Sequence, residues 1–194
     1  MSQTQPSPGP DQQGSGPPHR PDEEESKTPD EEESKTPHWL DQEERAAWLG
    51  LIRLVTRLPS VLDAQLQHDA ELSFFEYSVL AMLSEQPDRV LRMSHLAAVT
   101  SASLSRLSHV ARRLESRGLM RRALDPTDGR CTNAILTDDG LALVMRTAPA
   151  HVAEVRALVI DAVSPAQLRQ LRRASERILS RVDPEATTQP PSPA

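Results

Sequence analysis

The chain has 194 residues, one cysteine and a formal net charge of −6, and its length is sufficient for one hydrophobic core. One cysteine excludes an intrachain disulfide. No signal peptide or apolar run of membrane-spanning length is recognisable, so we expect a cytoplasmic protein without a membrane partner. The sequence contains no Gly-rich phosphate-binding loop, no HExxH pair and no paired cysteines. We therefore predict no enzyme, no metal site and no cofactor.

The two ends of the chain differ in composition from the middle. Residues 1–37 hold eight of the 17 prolines, carry a net charge of −6 and contain the repeat PDEEESKT at 21–28 and 29–36. Residues 184–194 form a second Pro-rich segment. Because such segments bury too little apolar surface to offset the entropy of ordering them, we expect both to be disordered. The folded domain is therefore expected at 38–183.

Two helices are predicted at the start of this domain. From Trp39 to Leu66 apolar residues recur at three- and four-residue intervals, which is the helical period, and Pro59 is expected to kink the helix. A second helix is predicted from Phe74 to Leu83, with Ser73 as its N-cap.

Residues 93–117 have the pattern of a helix-turn-helix. The first helix is predicted from Met93 to Thr100, with Ser94 as its N-cap. A turn of a few residues then forces a steep crossing onto the second helix. In that turn Ser101 stands where glycine would most easily adopt a left-handed conformation. The second helix has one apolar stripe, formed by Leu104, Leu107, Val110, Ala111 and Leu114, and its opposite face is left free.

A β-hairpin is predicted directly after the second helix. Gly118 is a natural helix stop, and residues 119–124 and 131–136 read as two strands around a turn at 125–130. In the turn Pro126 restricts φ, Gly129 permits a positive φ, and aspartates can accept hydrogen bonds from backbone N–H groups. Arg130 is then placed at the tip of a thin hairpin beside the helix.

Two further helices complete the domain. Thr137 is expected to cap a long helix that reaches Leu158, with a possible kink at Pro149. A last helix is predicted to begin at Ser164-Pro165, because serine is a favoured N-cap and proline is favoured at the first helical position. The helices outside the helix-turn-helix carry apolar faces. These faces either pack within one chain or form an interface between two copies.

The charge of the folded part is unevenly placed. Residues 89–130 hold nine arginines against three acids, a local charge of +6. An ordinary surface helix normally mixes acids with bases, whereas here Glu115 is the only acid between Arg92 and Arg122. A basic patch on an otherwise balanced domain is typical of a DNA-binding face. We predict that bases or nearby phosphates are read by Ser103, Ser105, Arg106, Ser108 and His109, that Arg112, Arg121 and Arg122 neutralise the DNA backbone, and that Arg130 probes the minor groove.

These motifs resemble the MarR (multiple-antibiotic-resistance regulator) family of winged helix-turn-helix regulators over residues 39–182. The most specific parts are SRLSH at 105–109, RLE and RGL at 113–115 and 117–119, and DPTDGR at 125–130 followed by LTDDG at 136–140. The family often has glycine at the position of Ser101 and a basic residue at that of Gly129. The resemblance implies a mainly α fold with a small β-hairpin wing. It also implies a homodimeric transcriptional regulator, most often a repressor, that binds double-stranded DNA at a pseudo-palindromic operator and is released by a small molecule or by oxidation.

The expected organisation has dimerisation helices at 38–70 and 141–183 and a DNA-binding lobe at 73–140. Because small-molecule sites favour such junctions, we place an effector pocket near Trp48, Arg53 and Phe75. Cys131 lacks a clear activating environment and is not expected to sense oxidants.

Two alternatives concern the acidic repeat. The first is a winged-helix interaction module that recruits a protein partner through the repeat, and such a module would show no salt-dependent DNA binding. The second concerns a DNA-binding protein, in which the repeat is either a passive solvating extension or a competitor of DNA phosphates for the basic face.

Overall fold

The computed structural model describes residues 37–183, and residues 1–36 and 184–194 of the two Pro-rich ends for which disorder is expected lie outside them. The described elements are α1 (Gln42–Ala70), α2 (Phe74–Ser84), β1 (Val90–Arg92), α3 (Met93–Val99), α4 (Leu104–Ser116), β2 (Met120–Leu124), β3 (Thr132–Leu136), α5 (Asp138–Val155) and α6 (Pro165–Val182). A π-helical turn, Arg156–Ile160, continues α5. The predicted fold class, mainly α with a small β wing, is confirmed.

The helix starts follow local side-chain chemistry. Ser73 caps α2 in a reciprocal capping box with Glu76, Thr137 caps α5 by accepting the Gly140 N–H at 3.0 Å, and Ser164 caps α6. These three caps were predicted because a cap needs only residues three positions apart. In α1 the helix continues through Pro59 to Ala70.

The predicted cap of α3 is wrong. The N-cap position is Arg92 rather than Ser94, and no side chain caps this helix. The physical reason is that β1 leads directly into α3, so the pairing of Arg92 with Asn133 determines where the strand ends and the helix begins. Met93, the first helical residue, is buried.

The three strands form an antiparallel sheet in the order β1-β3-β2. Val90 and Arg121 both pair with Ile135, so the hairpin of β2 and β3 is extended by β1 at its base. The sequence did not predict β1, because three residues are too few to show a two-residue period and their partner strand lies more than forty residues downstream.

The hydrophobic core lies within the helix-turn-helix and its sheet. Leu80 of α2, Leu96 of α3 and Leu107 and Leu114 of α4 are completely buried, and they pack with Ala134 of β3. In contrast, α1 buries only two residues and α6 buries none. The core therefore holds α4 firmly and leaves the two terminal helices largely uncovered.

The turn between α3 and α4 has the left-handed residue expected of a helix C-terminus. Ser101 has φ 50°, the Ala102 N–H donates to the Ala97 carbonyl, and the Ser101 N–H donates to the Ala98 carbonyl. This is a Schellman ending, and Ser101 occupies the position that glycine favours. Gly118 occupies the same position after α4, with φ 69°, as the sequence predicted.

Candidate DNA-binding surface

Helix α4 is anchored along one face and exposed along the other. Leu107, Ala111 and Leu114 are completely buried. Ser103 lies at the N-cap, where its hydroxyl oxygen accepts the Arg106 N–H at 3.2 Å. Because the apolar stripe is fixed in the core, the opposite face of α4 must point to solvent.

The exposed face carries hydroxyls and cations, as predicted. Ser105, His109 and Arg112 are exposed and Ser108 is half-buried. An Arg112 Nη lies 2.7 Å from His109 Nδ1. Since a guanidinium can only donate hydrogen bonds, Nδ1 must accept, and the neutral ring therefore carries its proton on Nε2. This arrangement leaves an N–H donor on the exposed side of the imidazole.

Arg106 and Arg122 have intramolecular partners. The Arg106 guanidinium stacks over the Phe75 ring, 4.3 Å from its centre. Arg122 donates from Nε and Nη to one oxygen of Glu115 at 3.1 and 2.7 Å, and its backbone N–H donates to the other oxygen at 2.8 Å. These bonds lower the pKa of Glu115 from its ordinary value. The charge of Arg122 is thus balanced locally, whereas Arg121 is exposed and has no ion-pair partner within residues 37–183.

The wing turn is organised by Asp125. Its Oδ1 accepts the Thr127 hydroxyl at 2.6 Å and the Thr127 and Asp128 N–H groups at 2.8 and 3.2 Å. These bonds, that of the Thr127 hydroxyl above all, hold the pKa of Asp125 well below its usual range. The prediction that aspartates shape the turn is confirmed. The expectation for Gly129 is wrong, since its φ is not positive, because the aspartate bonds close the turn without a left-handed residue.

Arg130 is exposed at the end of the wing. Its backbone N–H donates to Asp128 Oδ1 at 3.2 Å, which fixes the main chain there. The neighbouring Cys131 thiol donates to Asp128 Oδ2 at 3.4 Å, and this bond raises the pKa of the thiol. A raised pKa decreases the reactive thiolate fraction, which supports the prediction that Cys131 is not a sensor.

An open cavity of about 410 Å³ lies beside the N-terminal half of α4. It is lined by Pro59, Ser60, Asp63, Ser73, Phe74, Phe75, Arg106 and Val110. Of the three residues predicted for an effector pocket, Phe75 lines the cavity and Trp48 and Arg53 do not. Trp48 lies eleven residues before Pro59 on the same helix, which corresponds to about 16 Å.

Residues 37–183 hold neither a metal-binding cluster nor a membrane-spanning helix. No group of three or more His, Cys, Asp or Glu side chains in this range is arranged to hold a metal ion. No helix in this part of the chain is long and apolar enough to cross a membrane.

A helix-turn-helix followed by a β-hairpin, with a short preceding strand paired to that hairpin, defines the class of winged-helix DNA-binding proteins. The MarR family model matches residues 72–132. The structure of the MarR-family regulator Sco3205 from Streptomyces coelicolor, in complex with DNA, is 40% identical, covers 80% of this chain and 98% of its own, and has a TM-score of 0.75. AbsC from the same organism is 36% identical, with coverages of 77% and 100% and a TM-score of 0.73. The chain belongs to the MarR family of transcriptional regulators.

A third structure, CouR from Rhodococcus jostii bound to p-coumaroyl-CoA, is 25% identical, covers 69% of this chain and 90% of its own, and has a TM-score of 0.59. The comparison with curated protein sequences gives no significant match.

Proposed function

We propose that this regulator is a homodimeric repressor that binds a pseudo-palindromic operator through α4 and the wing and is released by a small molecule. The observation that carries the proposal is the exposed face of α4, which presents Ser105, Ser108, His109 and Arg112 beside a hairpin that ends in Arg130. The similarity to Sco3205, whose structure contains DNA, supports the same use of this surface.

In this proposal the side chains divide into two groups. The His109 Nε2–H and the hydroxyls of Ser105 and Ser108 suit acceptors on base edges in the major groove. Arg112 and Arg121 suit phosphates. Ser103 already accepts a backbone N–H, and its hydroxyl proton remains available to a phosphate near the helix N-terminus.

Two further residues have separate roles in the proposal. Arg130 is placed to enter the minor groove, where narrow A·T-rich tracts have the strongest negative potential. Arg122 contributes less, because Glu115 balances its charge.

The dimer is supported by the uncovered faces of the terminal helices. On α1, Trp48, Leu51, Ile52 and Val55 form an i, i+3, i+4, i+7 stripe, and all four are exposed in the single chain. Helix α6 likewise exposes the apolar residues Leu171, Ile178, Leu179 and Val182. Contiguous apolar stripes of this size are typical of an interface. A second copy would bury both and would set two recognition helices on one DNA molecule.

For the effector we propose the cavity beside Phe75. Its two phenyl rings and the Arg106 guanidinium suit an aromatic carboxylate, since a ring can pack against Phe74 while the acid pairs with the guanidinium that lies over Phe75. An occupant would contact α4 directly and could therefore change the position of the reading face.

The cavity assignment is tested by filling it. Aromatic carboxylates should release the parent protein from its operator in an anisotropy titration. Ser60→Phe places a ring in the cavity and should keep operator binding while it loses the response. A Ser60→Phe protein that responds as the parent does, or a parent that no aromatic acid releases, would contradict the assignment.

The DNA contacts are tested by two substitutions on α4. His109→Ala should cost about 1–3 kcal/mol of operator binding and relax specificity at one base pair, because a base contact is lost. Arg112→Ala should weaken binding to all sequences alike and lower the salt slope by about one, because a phosphate contact is lost. Anisotropy titrations with operator and scrambled DNA at several salt concentrations measure both effects. Absence of any salt-dependent DNA binding would favour the interaction-module alternative.

A further inference from the structure

Two arginines of α4 and the arginine at its C-cap lie near one line along the helix and do not belong to the DNA-facing surface. Arg113 and Arg117 follow Arg106 by seven and eleven positions, which at 3.6 residues per turn places both within about 20° of the line through Arg106. The line runs between the buried stripe and the exposed face that contains His109 and Arg112. We call these three residues the arginine seam, and each has a partner at the end of α1 or the start of α2.

Arg117 binds the end of α1. One Nη donates to the Glu71 carbonyl at 2.8 Å and the other lies 3.5 Å from the Ala70 carbonyl. Carbonyls in the last turn of a helix have no partner within that helix. Arg117 therefore supplies from α4 the hydrogen bonds that close the C-terminus of α1.

Arg113 faces a buried carboxylate of α2. Glu76 is completely buried, and its Oε2 accepts the Ser73 N–H and hydroxyl at 2.8 and 2.9 Å. Its Oε1 lies 3.2 Å from an Arg113 Nη and accepts no well-formed hydrogen bond from any described residue. A buried charge needs a counter-ion. The guanidinium of Arg113 is the only cation within ion-pair distance of Glu76 in the described part of the chain.

Arg106 is the member of the arginine seam nearest the N-terminus of α4, and its guanidinium lies over the Phe75 ring of α2. All three contacts thus join one edge of the recognition helix to the α1–α2 junction. They connect residues 31 to 46 positions apart, so they report on the tertiary packing of α4 and not on its helical propensity.

We propose that the arginine seam positions the recognition helix and that its members are not phosphate contacts. The seam holds α4 against the α1–α2 junction, so that the opposite face meets the major groove at the correct angle. This role differs from the base reading that the sequence predicted for Arg106. The proposal rests on the proposed DNA-reading role of the α4 face.

Salt dependence separates a positioning arginine from a phosphate contact. A phosphate contact releases counterions, so its loss lowers the salt slope of binding by about one and weakens operator and scrambled DNA alike. Loss of a positioning residue misplaces the base contacts. It should weaken operator binding and leave the salt slope and the affinity for scrambled DNA nearly unchanged.

The first comparison uses one chemical change at three positions, two on α4 and one at its C-cap. Arg106→Met and Arg117→Met should bind the operator about 3- to 10-fold more weakly. The salt slope of each should fall by less than half as much as the salt slope of the control variant. The control is Arg112→Met, on the exposed face of α4. Its salt slope should be lower than that of the parent by about one. Slopes for the seam variants as low as that of Arg112→Met would overturn the proposal.

The second comparison uses the buried pair. Arg113→Gln leaves Glu76 without its counter-ion and should weaken operator binding at least about 10-fold, since α4 loses its attachment. The double variant Glu76→Gln, Arg113→Gln replaces the ion pair by two neutral side chains, so that no charge is left buried without a partner. It should return to within about 3-fold of the parent at an unchanged slope. A double variant that stays as weak as Arg113→Gln contradicts the positioning role.

The failure of this proposal and that of the proposed function give different results. If α4 does not read DNA, the parent itself shows no preference for a selected operator over scrambled DNA. If only the seam assignment is wrong, the parent keeps that preference and the seam variants lose salt slope. Thermal unfolding of each variant sets a temperature at which all are folded, so that the affinities compare native proteins.

Discussion

Val55→Asp should convert the protein into monomers and weaken operator binding by at least about 100-fold. Val55 is 54% exposed in the single chain and lies at the C-terminal end of the α1 stripe. An acid there costs little in a monomer, because the side chain stays in water. In a dimer it would bury an unpaired charge. A monomer can engage one half-site only, so the contribution of the second recognition helix is lost.

Sedimentation and footprinting measure this effect. The parent should sediment as a dimer and protect two half-sites about 10 bp apart, centre to centre, on an operator selected from random DNA. Val55→Ala is the matched control, since it keeps the position apolar and should remain dimeric. A parent that is monomeric at binding concentrations, or that protects one asymmetric half-site, would contradict the dimer proposal.

Gly140→Ala should destabilise the fold by about 3 kcal/mol. A Cβ at this position would overlap the Leu119 carbonyl oxygen and come within 2.7 Å of Leu136 Cδ1. The backbone cannot easily move away, because the Leu119 carbonyl accepts the Thr137 N–H and the Leu119 N–H donates to Leu114. The substitution therefore separates the first turn of α5 from the end of α4.

Thermal unfolding measures the loss, which should lower Tm by roughly 10 °C for a domain of this size. Gly129→Ala is the matched control, because nothing lies within 4 Å of its Cβ position and its φ is not positive. Its Tm should change by no more than about 2 °C. An unchanged Tm for Gly140→Ala would show that α5 can shift away from the wing.

The elements that the sequence predicted correctly are encoded by neighbours in the chain. The caps at Ser73, Thr137 and Ser164 depend on a side chain and an N–H three residues on. In the stripe of α4, Leu107, Ala111 and Leu114 are buried as predicted, whereas Leu104 is exposed. The turn at Asp125 closes through its hydrogen bonds from Thr127 and Asp128. Such signals need no knowledge of the fold.

The features that the sequence did not show depend on distant residues. The start of α3 is determined by β1, whose pairing partner is β3, and not by a local cap at Ser94. The effector residues were chosen by their position along the chain, but Trp48 lies about 16 Å from Pro59 along a rigid helix. The DNA-reading role of Arg106 stays a prediction, but the sequence did not show the Phe75 ring on which its guanidinium stacks, because that ring comes from another helix.

By itself the sequence determined the winged-helix class, the exposed face of α4 and the basic character of the region from 89 to 130, because periodicity, caps and charge are local properties. Only the tertiary structure decided which cations of that region are free. Nine arginines look equivalent in the sequence, yet the fold places a carboxylate or a carbonyl against five of them: Asp138, Asp125, Glu76, Glu115 and the Glu71 carbonyl. The reason is physical: an ion pair or hydrogen bond depends on distances between side chains that folding alone brings together.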